Sequence, residues 1–207
     1  MNNEEVAKFK PDFVTPQIDY SARMPTSKMY TEMTGMFNTD ALVKYCWEQI
    51  AEPSYGNSWY TLYYFQMLNL NKQDVFEACP MLAEVDKHTP IKGMGITLMS
   101  PGFYYKLHTD HGRGVCFNML LNTNESITAY VTPPTAEHIQ GETFRLKYNL
   151  NEMYLFNTQV PHTVFNFVEN RYMFTVEFHE NKELLTYRGL KKRLKQQGLI
   201  GKTTLQL

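Results

Sequence analysis

The sequence predicts a mainly β fold, arranged as a jelly-roll and flanked by helices at both ends. After Pro90, short runs rich in β-branched and aromatic residues alternate with turn-forming residues. Before that point, apolar residues recur at helical spacing. After Phe178, leucines are interspersed with lysines and arginines in the pattern of a basic helix. These three observations together predict a β core between two helical regions.

The composition is that of an ordinary folded protein. The chain has 207 residues, of which 43% are hydrophobic and 20% charged, and its formal net charge is −1. This length supports one full-sized core, so we expect one structural domain in three parts. The parts are an arm with helices over 1–90, a β core over 91–180, and a basic helix with a tail over 181–207. The balanced charge gives no global attraction to nucleic acid.

The cysteines and the N-terminal residues indicate in which cellular compartment the protein works. Cys46, Cys79 and Cys116 are odd in number and far apart, with no metal-binding or disulfide spacing, which favours a reducing environment. The first residues lack the basic and apolar regions of a secretory signal, and no apolar run approaches about 18 residues. We therefore expect a cytoplasmic protein with no membrane partner.

The N-terminal part reads as an arm followed by helices. Prolines in residues 1–35 favour an extended arm. Asn38 or Thr39 could cap a helix that ends before Pro53, and a second helix over about 74–85 is interrupted or restarted at Pro80. Residues 59–70 fit either a strand or a helix. Their aromatic side chains could pack in the core or line a substrate entrance: Trp59, Tyr60, Tyr63, Tyr64 and Phe65.

Eight strands are predicted in the core, at a spacing typical of a sandwich or jelly-roll. They are Met94–Met99, Phe103–Asp110, Val115–Leu121, Ile127–Val131, Thr143–Tyr148, Met153–Phe156, Thr163–Val168 and Arg171–Phe178. The basic helix is predicted within residues 182–202. Its leucines are expected to pack inward and its charges to face solvent, although such a face can also contact nucleic acid.

A candidate metal site stands in the second predicted strand. Alternation along a strand places His108 and Asp110 on the same face, as two ligands of one ion require. His162, which opens a later strand, is the best third ligand. Two imidazoles and one carboxylate form the facial triad that leaves three positions on iron open for oxygen chemistry. His111, in the glycine-rich turn, is an alternative to Asp110.

An arginine is predicted to lie in the same cavity as the metal ligands. If Glu169 and Asn170 form a two-residue turn, Arg171 lies opposite Val168 and shares the face of His162. The metal and the guanidinium would then be separated by several residues of strand, at about 3.3 Å each. That gap suits an elongated dicarboxylate such as 2-oxoglutarate, which can chelate iron at one end and pair with arginine at the other.

These residues resemble a known family. Three features are similar to the aspartyl/asparaginyl β-hydroxylases. They are Pro101-Gly102 followed by His108 and Asp110, the segment from Leu155 to Asn166 that contains His162, and Arg171 beyond that segment. These are iron and 2-oxoglutarate dioxygenases, and the resemblance covers about residues 80–180. It implies a cupin-like double-stranded β-helix that binds Fe(II), 2-oxoglutarate and O2.

The resemblance also implies roles for particular residues. His108, Asp110 and His162 would be the catalytic metal ligands, and Arg171 would hold the cosubstrate. In the family, an Arg-x-His after the first ligand pair also contacts the cosubstrate, whereas this chain has Cys116-Phe-Asn118, so Asn118 would keep one hydrogen bond to the keto acid. Tyr104, on the predicted face of His108, would reach the cosubstrate or fill the barrel.

The implied activity is hydroxylation of an amino-acid side chain, free or in a peptide or protein, with release of succinate and CO2. Two alternatives stay open at this stage. One is a noncatalytic cupin-like protein that binds a metal or a small ligand, and the other is an oxygenase that modifies nucleic acid through the basic C-terminal helix. The sequence identifies neither the oxidised substrate nor the oligomeric state.

Overall fold

The structure is a computed structural model that describes residues 28–33, 35–54, 56–62, 65–122, 125–132 and 142–200. Within these ranges the helices are α1 (Asp40–Ala51), α2 (Lys72–Ala78), α3 (Pro80–His88) and α4 (Tyr187–Gln196). The strands are β1 (Tyr30–Glu32), β2 (Tyr60–Leu62), β3 (Phe65–Asn69), β4 (Ile91–Met99), β5 (Tyr104–His108), β6 (Val115–Leu120), β7 (Ile127–Val131), β8 (Thr143–Leu146), β9 (Met153–Asn157), β10 (His162–Phe165) and β11 (Arg171–Phe178).

The described strands form two antiparallel sheets. The larger has the strand order β1-β9-β6-β11-β4-β3-β2, and the smaller has the order β5-β10-β7-β8. From β4 onward the chain winds between them, since β4, β6, β9 and β11 lie in the larger sheet and β5, β7, β8 and β10 in the smaller. This winding is a double-stranded β-helix, so the predicted fold is confirmed, with each predicted strand of the core present.

The larger sheet has two chemically different sides. Along β11, Arg171, Met173 and Thr175 face a cavity between the sheets. The intervening Phe174 and Val176 belong to the principal hydrophobic core on the opposite side. Successive side chains of a strand point to opposite faces, so one strand supplies both a polar cavity wall and a core surface.

The helices cover the core side of the larger sheet. Leu42 of α1, Leu82 of α3 and Leu190 of α4 share one buried cluster with Phe117 and Phe174 of the sheet. Each of these five side chains is fully shielded from solvent. Truncating any of them to alanine is expected to cost about 2–5 kcal/mol of stability, because the cavity left behind does not refill completely.

Local sequence signals explain the helix boundaries. The helix α1 ends at Ala51, ahead of Pro53 as predicted. The Asn71 side chain caps α2 by accepting hydrogen bonds from the amides of Gln73 and Asp74 at 2.8 and 3.2 Å. Pro80 occupies the first turn of α3, where no amide hydrogen is needed, so the predicted restart at this residue is confirmed.

The region before β4 also settles the undecided stretch over 59–70. It contains the antiparallel hairpin β2–β3, which extends the larger sheet beside β4. Of the predicted N-terminal arm, residues 1–27 lie outside the described residues, and β1 pairs with β9. We expect the loop over 132–141 to help select the substrate, but apart from its first residue this loop lies outside the described residues.

The predicted hairpin between His162 and Arg171 is wrong. β10 pairs with β5 and β7, whereas β11 pairs with β4 and β6, so the connection over 166–170 crosses from one sheet to the other. The Asn166 amide secures the crossing by donating hydrogen bonds to three backbone carbonyls, those of Met99, Ser100 and Glu169, at 2.6–3.0 Å. Arg171 still faces His162, but across the cavity between the sheets.

The basic helix is shorter than predicted. It begins after Thr186, whose side chain accepts a hydrogen bond from the Gly189 amide at 3.1 Å. Leu190 and Leu194 pack inward as expected, whereas Leu184, ahead of the helix, is 69% exposed. Residues 181–185 instead form a turn anchored by Asn181. Within the described part of the chain, no helix combines the length and apolar character needed to cross a bilayer.

Candidate metal centre and its cavity

Two paired strands and one loop bring the predicted ligands together. His162, the first residue of β10, lies opposite His108, the last residue of β5, and the ring centroids are 4.3 Å apart. Asp110 follows in the next loop, and its Oδ1 lies 3.3 Å from His108 Nε2 and 3.7 Å from His162 Nε2. The three donor atoms all lie within 4.8 Å of one another. These three potential metal ligands therefore form one cluster, and their side chains are largely buried.

The spacing of these donors suits a single divalent ion. Two ligands bound at about 2.1 Å and at right angles to each other lie about 3 Å apart. The observed 3.3 and 3.7 Å separations are close to that value. Two imidazole nitrogens and one carboxylate oxygen also form the donor set that suits iron with open positions.

Hydrogen bonds to the backbone fix which ring nitrogens face the site. His108 Nδ1 lies 2.7 Å from the carbonyl oxygen of Lys106, and His162 Nδ1 lies 2.9 Å from that of Val160. A carbonyl only accepts, so in both rings Nδ1 carries the hydrogen and Nε2 presents a lone pair. His108 Nε2 is buried and has no hydrogen-bond partner in the described ranges of the chain. A cation between these lone pairs and the carboxylate would satisfy all three.

The protonation states favour metal binding near neutral pH. Burial lowers the pKa of the His162 imidazole to about 4, so the ring is neutral there. Burial raises the pKa of the Asp110 carboxyl, but the charge and the hydrogen bond of Arg113 act against burial and keep that pKa below its usual value. Asp110 is therefore ionised, and neither residue needs to lose a proton when a metal binds.

Arg113 supports the carboxylate ligand and was not among the predicted site residues. Its Nε donates a hydrogen bond to Asp110 Oδ2, which leaves Oδ1 directed toward the two histidines. The Thr158 hydroxyl donates to the Arg113 carbonyl at 2.5 Å, and Gln159 Nε2 donates to the carbonyls of both Asp110 and Arg113. The sequence signal was the Asp-x-x-Arg spacing, three residues apart in one turn.

The C-terminal segment packs against the same loop. The Lys182 amide donates to the carbonyl of Gly112 at 3.1 Å. A Cβ atom on Gly114 would collide with the Leu185 carbonyl and lie 3.1 Å from the Lys182 Cα. Glycine is therefore required at position 114 because two backbone segments meet there.

The triad opens into a cavity of about 700 Å3 between the two sheets. Arg171 lines this cavity together with His108, Asp110 and His162, as does Asn118. Asn118 Oδ1 accepts a hydrogen bond from the Thr175 hydroxyl at 2.9 Å. All the predicted site residues except Tyr104 therefore border one space.

Arg171 is a buried cation with neutral partners. Its side chain is 4% exposed, and its guanidinium donates to Ser126 Oγ at 3.2 Å and to Thr128 Oγ1 at 3.3 Å. Burial lowers the pKa of Arg171. Among the described residues, no carboxylate lies within ion-pair distance of this guanidinium. Burying a charge without a counterion is costly, so the position suits an anionic ligand.

Tyr148 is a second group that sequence reasoning missed. Its ring centroid lies 5.9 Å from the guanidinium carbon of Arg171, and its buried hydroxyl has no hydrogen-bond partner among the residues that the structure describes. It follows β8 in a segment predicted as strand, where nothing in the sequence distinguished it from the chain's thirteen other tyrosines. A free donor beside a buried cation adds to the anion-binding character of this end of the cavity.

Tyr104 lies outside the cavity, and Tyr105 takes its place. The pairing of β10 with β5 shifts register between His162 and Val164, because β5 contains one extra residue there. Such a bulge breaks the two-residue alternation, so Tyr105, rather than Tyr104, shares the face of His108. Tyr105 and His108 have ring centroids 4.0 Å apart. Tyr104 is 56% exposed and stacks on Phe165.

The remaining candidates divide between the cavity and the core. His111 is exposed at the cavity and does not belong to the cluster of donors. Tyr60 and Phe65 line the cavity, whereas Trp59 packs against the core near Tyr172. Of the same aromatic group, Tyr63 and Tyr64 lie outside the described residues.

Solved structures share this fold at low sequence identity. A prolyl-4-hydroxylase from Pseudomonas putida is 12% identical, with a TM-score of 0.55 over 75% of this chain and 95% of its own. A prolyl hydroxylase from Trichoplax adhaerens, solved with a peptide of hypoxia inducible factor, is 13% identical, with a TM-score of 0.53 over 74% and 84%.

A third similar structure is SnoN, a non-heme α-ketoglutarate-dependent epimerase from nogalamycin biosynthesis. It is 8% identical, with a TM-score of 0.52 over 75% of this chain and 79% of its own. The likeness lies in the fold. At the level of sequence, no family model matches the chain, and no curated protein matches it.

Proposed function

We propose that this chain is an Fe(II)- and 2-oxoglutarate-dependent dioxygenase that hydroxylates an amino-acid side chain. One observation carries the proposal: among the described residues, a single cavity contains three convergent metal donors and, apart from them, a buried arginine without a counterion. The first feature suits a divalent cation and the second a carboxylate. 2-Oxoglutarate is a ligand that uses both.

His108, Asp110 and His162 would hold the iron and leave its other positions open. When bound, iron with 2-oxoglutarate and O2 supplies the oxidising chemistry, with release of succinate and CO2. The chain's own contribution is to hold the donors in place. The carbonyls of Lys106 and Val160 orient the two rings, and Arg113 orients the carboxylate.

Arg171 would bind the far carboxylate of the cosubstrate, with Thr128 positioning the guanidinium and the Tyr148 hydroxyl donating a further hydrogen bond. The register between β7 and β10 gives the distance between the metal ligand His162 and the residue that positions Arg171. Tyr130 lies opposite His162 and Thr128 lies opposite Val164, so the anchor of Arg171 is two residues from the metal ligand, or about 7 Å along the strand. Asn118 would supply a hydrogen bond to the keto acid in place of the arginine of the resembled family.

The substrate would enter beside the hairpin β2–β3. Leu62, Phe65 and Met67 form an apolar wall there, and Lys92 is paired with Glu177 at 3.1 Å, so this side presents little uncompensated charge. The prolyl hydroxylases with the same fold support an amino-acid residue, free or in a peptide, as substrate. Within the oxygenases, the motifs around His108 and His162 favour kinship with the aspartyl/asparaginyl β-hydroxylases. The buried free thiols of Cys46, Cys79 and Cys116 fit the reducing cytoplasm.

The test is 2-oxoglutarate turnover with Fe(II), ascorbate and O2, read as succinate by mass spectrometry with a mixture of free amino acids and peptides. We expect turnover by the native protein and none by His108→Ala or Asp110→Ala, because each variant loses a metal ligand. His88→Ala, at an exposed histidine outside the cavity, is the matched control and should keep full activity. Circular dichroism checks that the variants fold.

Tight Fe(II) binding without any release of succinate or CO2, across the whole substrate mixture, would contradict the proposal. That result would favour a noncatalytic metal-binding protein. Loss of folding in both ligand variants would also count against a catalytic role, because it would assign these residues to the architecture of the β core.

A further inference from the structure

A second groove lies outside the metal cavity, between α4 and the start of the described chain. Its volume is about 510 Å3, and five of the seven described residues that line it are cationic. The lining consists of Lys28, Tyr187, Arg188, Lys191, Lys192, Lys195 and Gln196. None of them is acidic, although the whole chain is nearly neutral at −1. The cations are therefore concentrated on one surface, which we call the basic groove.

Helical spacing produces this concentration. Arg188, Lys191, Lys192 and Lys195 stand at intervals of three and four residues, which places them on one face of α4. The hydroxyls of Thr31 and Tyr187 lie 2.5 Å apart and join α4 to β1. That contact brings Lys28 to the same groove from the opposite end of the described chain.

Within the described part of the chain, the charges of the basic groove have no counterions. Arg193, on another face of α4, pairs with Glu180. Across the described ranges, none of the five groove cations has a carboxylate within ion-pair distance. Burial and the charge of Lys195 also lower the pKa of Lys191. Like charges held together in this way repel each other and favour a polyanion.

We infer that the basic groove binds the phosphate backbone of a nucleic acid, independently of base sequence. Arg188 to Lys195 spans seven residues, or about 10 Å of helix. Each strand of a double helix carries one charge about every 3.4 Å of helix axis, and a single strand can be more extended, so the row can meet about two or three successive phosphates. Tyr187 is only 3% exposed and cannot stack on a base. Contacts would therefore be to phosphate alone.

A membrane surface fits the groove less well. Helices that lie on bilayers insert an apolar face between the lipids. The apolar residues of α4, namely Tyr187, Leu190 and Leu194, are 0–3% exposed because they pack in the core. The helix has no apolar face left to insert, and its cations line a concave surface that suits a strand better than a plane.

The test is fluorescence anisotropy of a labelled, mixed-sequence single-stranded DNA of about 20 nucleotides, titrated with metal-free native protein at rising salt. Because iron and 2-oxoglutarate are absent, the result is independent of the proposed dioxygenase activity. We expect micromolar binding at about 50 mM salt that weakens steeply as salt rises. Lys192→Gln/Lys195→Gln should weaken binding about tenfold or more and reduce the salt slope by between one and two.

The matched control is Arg145→Gln/Lys147→Gln, which removes the same charge from exposed positions at and just beyond β8. It should change the affinity less than about twofold, because diffuse charge contributes less than contact with phosphate. Equal losses in both variants, or no binding by the native protein at low salt, would overturn the inference. So would stronger binding to phosphatidylserine vesicles than to the oligonucleotide, since that would assign the groove to a membrane surface.

Discussion

The metal end of the cavity and the Arg171 end differ in the charge that each lacks. At the metal end, two imidazole lone pairs and a carboxylate face one another within 4.8 Å, which leaves a gap suited to a cation. Near Arg171, a buried guanidinium has hydroxyl and thioether neighbours, which leaves a site suited to an anion. The comparison indicates that the cavity is organised around one ligand system with opposite charges at its two ends.

Replacing Arg171 tests this contrast most strongly. For Arg171→Met, we expect the affinity for 2-oxoglutarate to fall by about 2–5 kcal/mol, because its carboxylate would lose its charged partner. Fe(II) affinity should stay unchanged, since no metal donor is altered. The metal-free variant should be as stable as the native protein or more so, because an uncompensated buried charge has been removed.

Isothermal titration calorimetry under anaerobic conditions gives both affinities, and thermal unfolding gives the stability. Arg145→Met, at an exposed arginine of β8, is the control for loss of a cation and should leave 2-oxoglutarate binding unchanged. A metal-free Arg171→Met protein that unfolds far below the native melting temperature would show that the guanidinium holds the sheets together.

The two ends should also differ in their response to pH. The pKa of His162 is lowered from 6.5 to about 4, so between these values the unfolded chain binds a proton that the folded chain does not. The metal-free protein should therefore lose stability as the pH falls from about 6.5 to 4, by up to about 3 kcal/mol. Arg171 does not titrate in this range.

The measurement is the melting temperature across this pH window with a chelator present. His162→Gln removes the titrating imidazole, so its melting temperature should depend less on pH than that of the native protein. An unchanged pH dependence in this variant would assign the acid sensitivity to other groups.

A smaller effect is expected from Arg113, which orients a ligand without contacting the metal. Arg113→Gln should weaken Fe(II) binding about 10- to 100-fold, because Asp110 loses the partner that directs its Oδ1 to the site. Lys92→Gln breaks an exposed ion pair at the same cavity and is the control. Equal iron affinity in the native and Arg113→Gln proteins, measured by calorimetry, would remove this positioning role.

Local patterns were sufficient to predict the elements and the triad. Strand alternation and turn residues marked the core strands, and β7 and β11 have the predicted bounds. His108 and Asp110 are close in sequence, and His162 was selected because it opens a strand. These features depend on neighbours within a few residues, and over that range the spacing of apolar and polar residues predicts secondary structure.

Relations between distant segments were beyond that range. Arg171 was placed in the cavity through a hairpin that does not exist, because nothing in residues 166–170 shows that the chain changes sheets. Tyr104 was assigned to the wrong face because a bulge in β5 is set by its pairing with β10. Tyr148 meets Arg171 only through the stacking of the two sheets.

The contact between Gly114 and the turn over 181–185 has a consequence for biosynthesis. During translation, the donors at 108, 110 and 162 leave the ribosome before the turn that supports their loop. Since the Lys182 amide and the Leu185 carbonyl pack against Gly112 and Gly114, the loop gains its final support only after this later segment emerges. A nascent chain stalled before residue 181 should therefore capture metal more weakly than the released polypeptide.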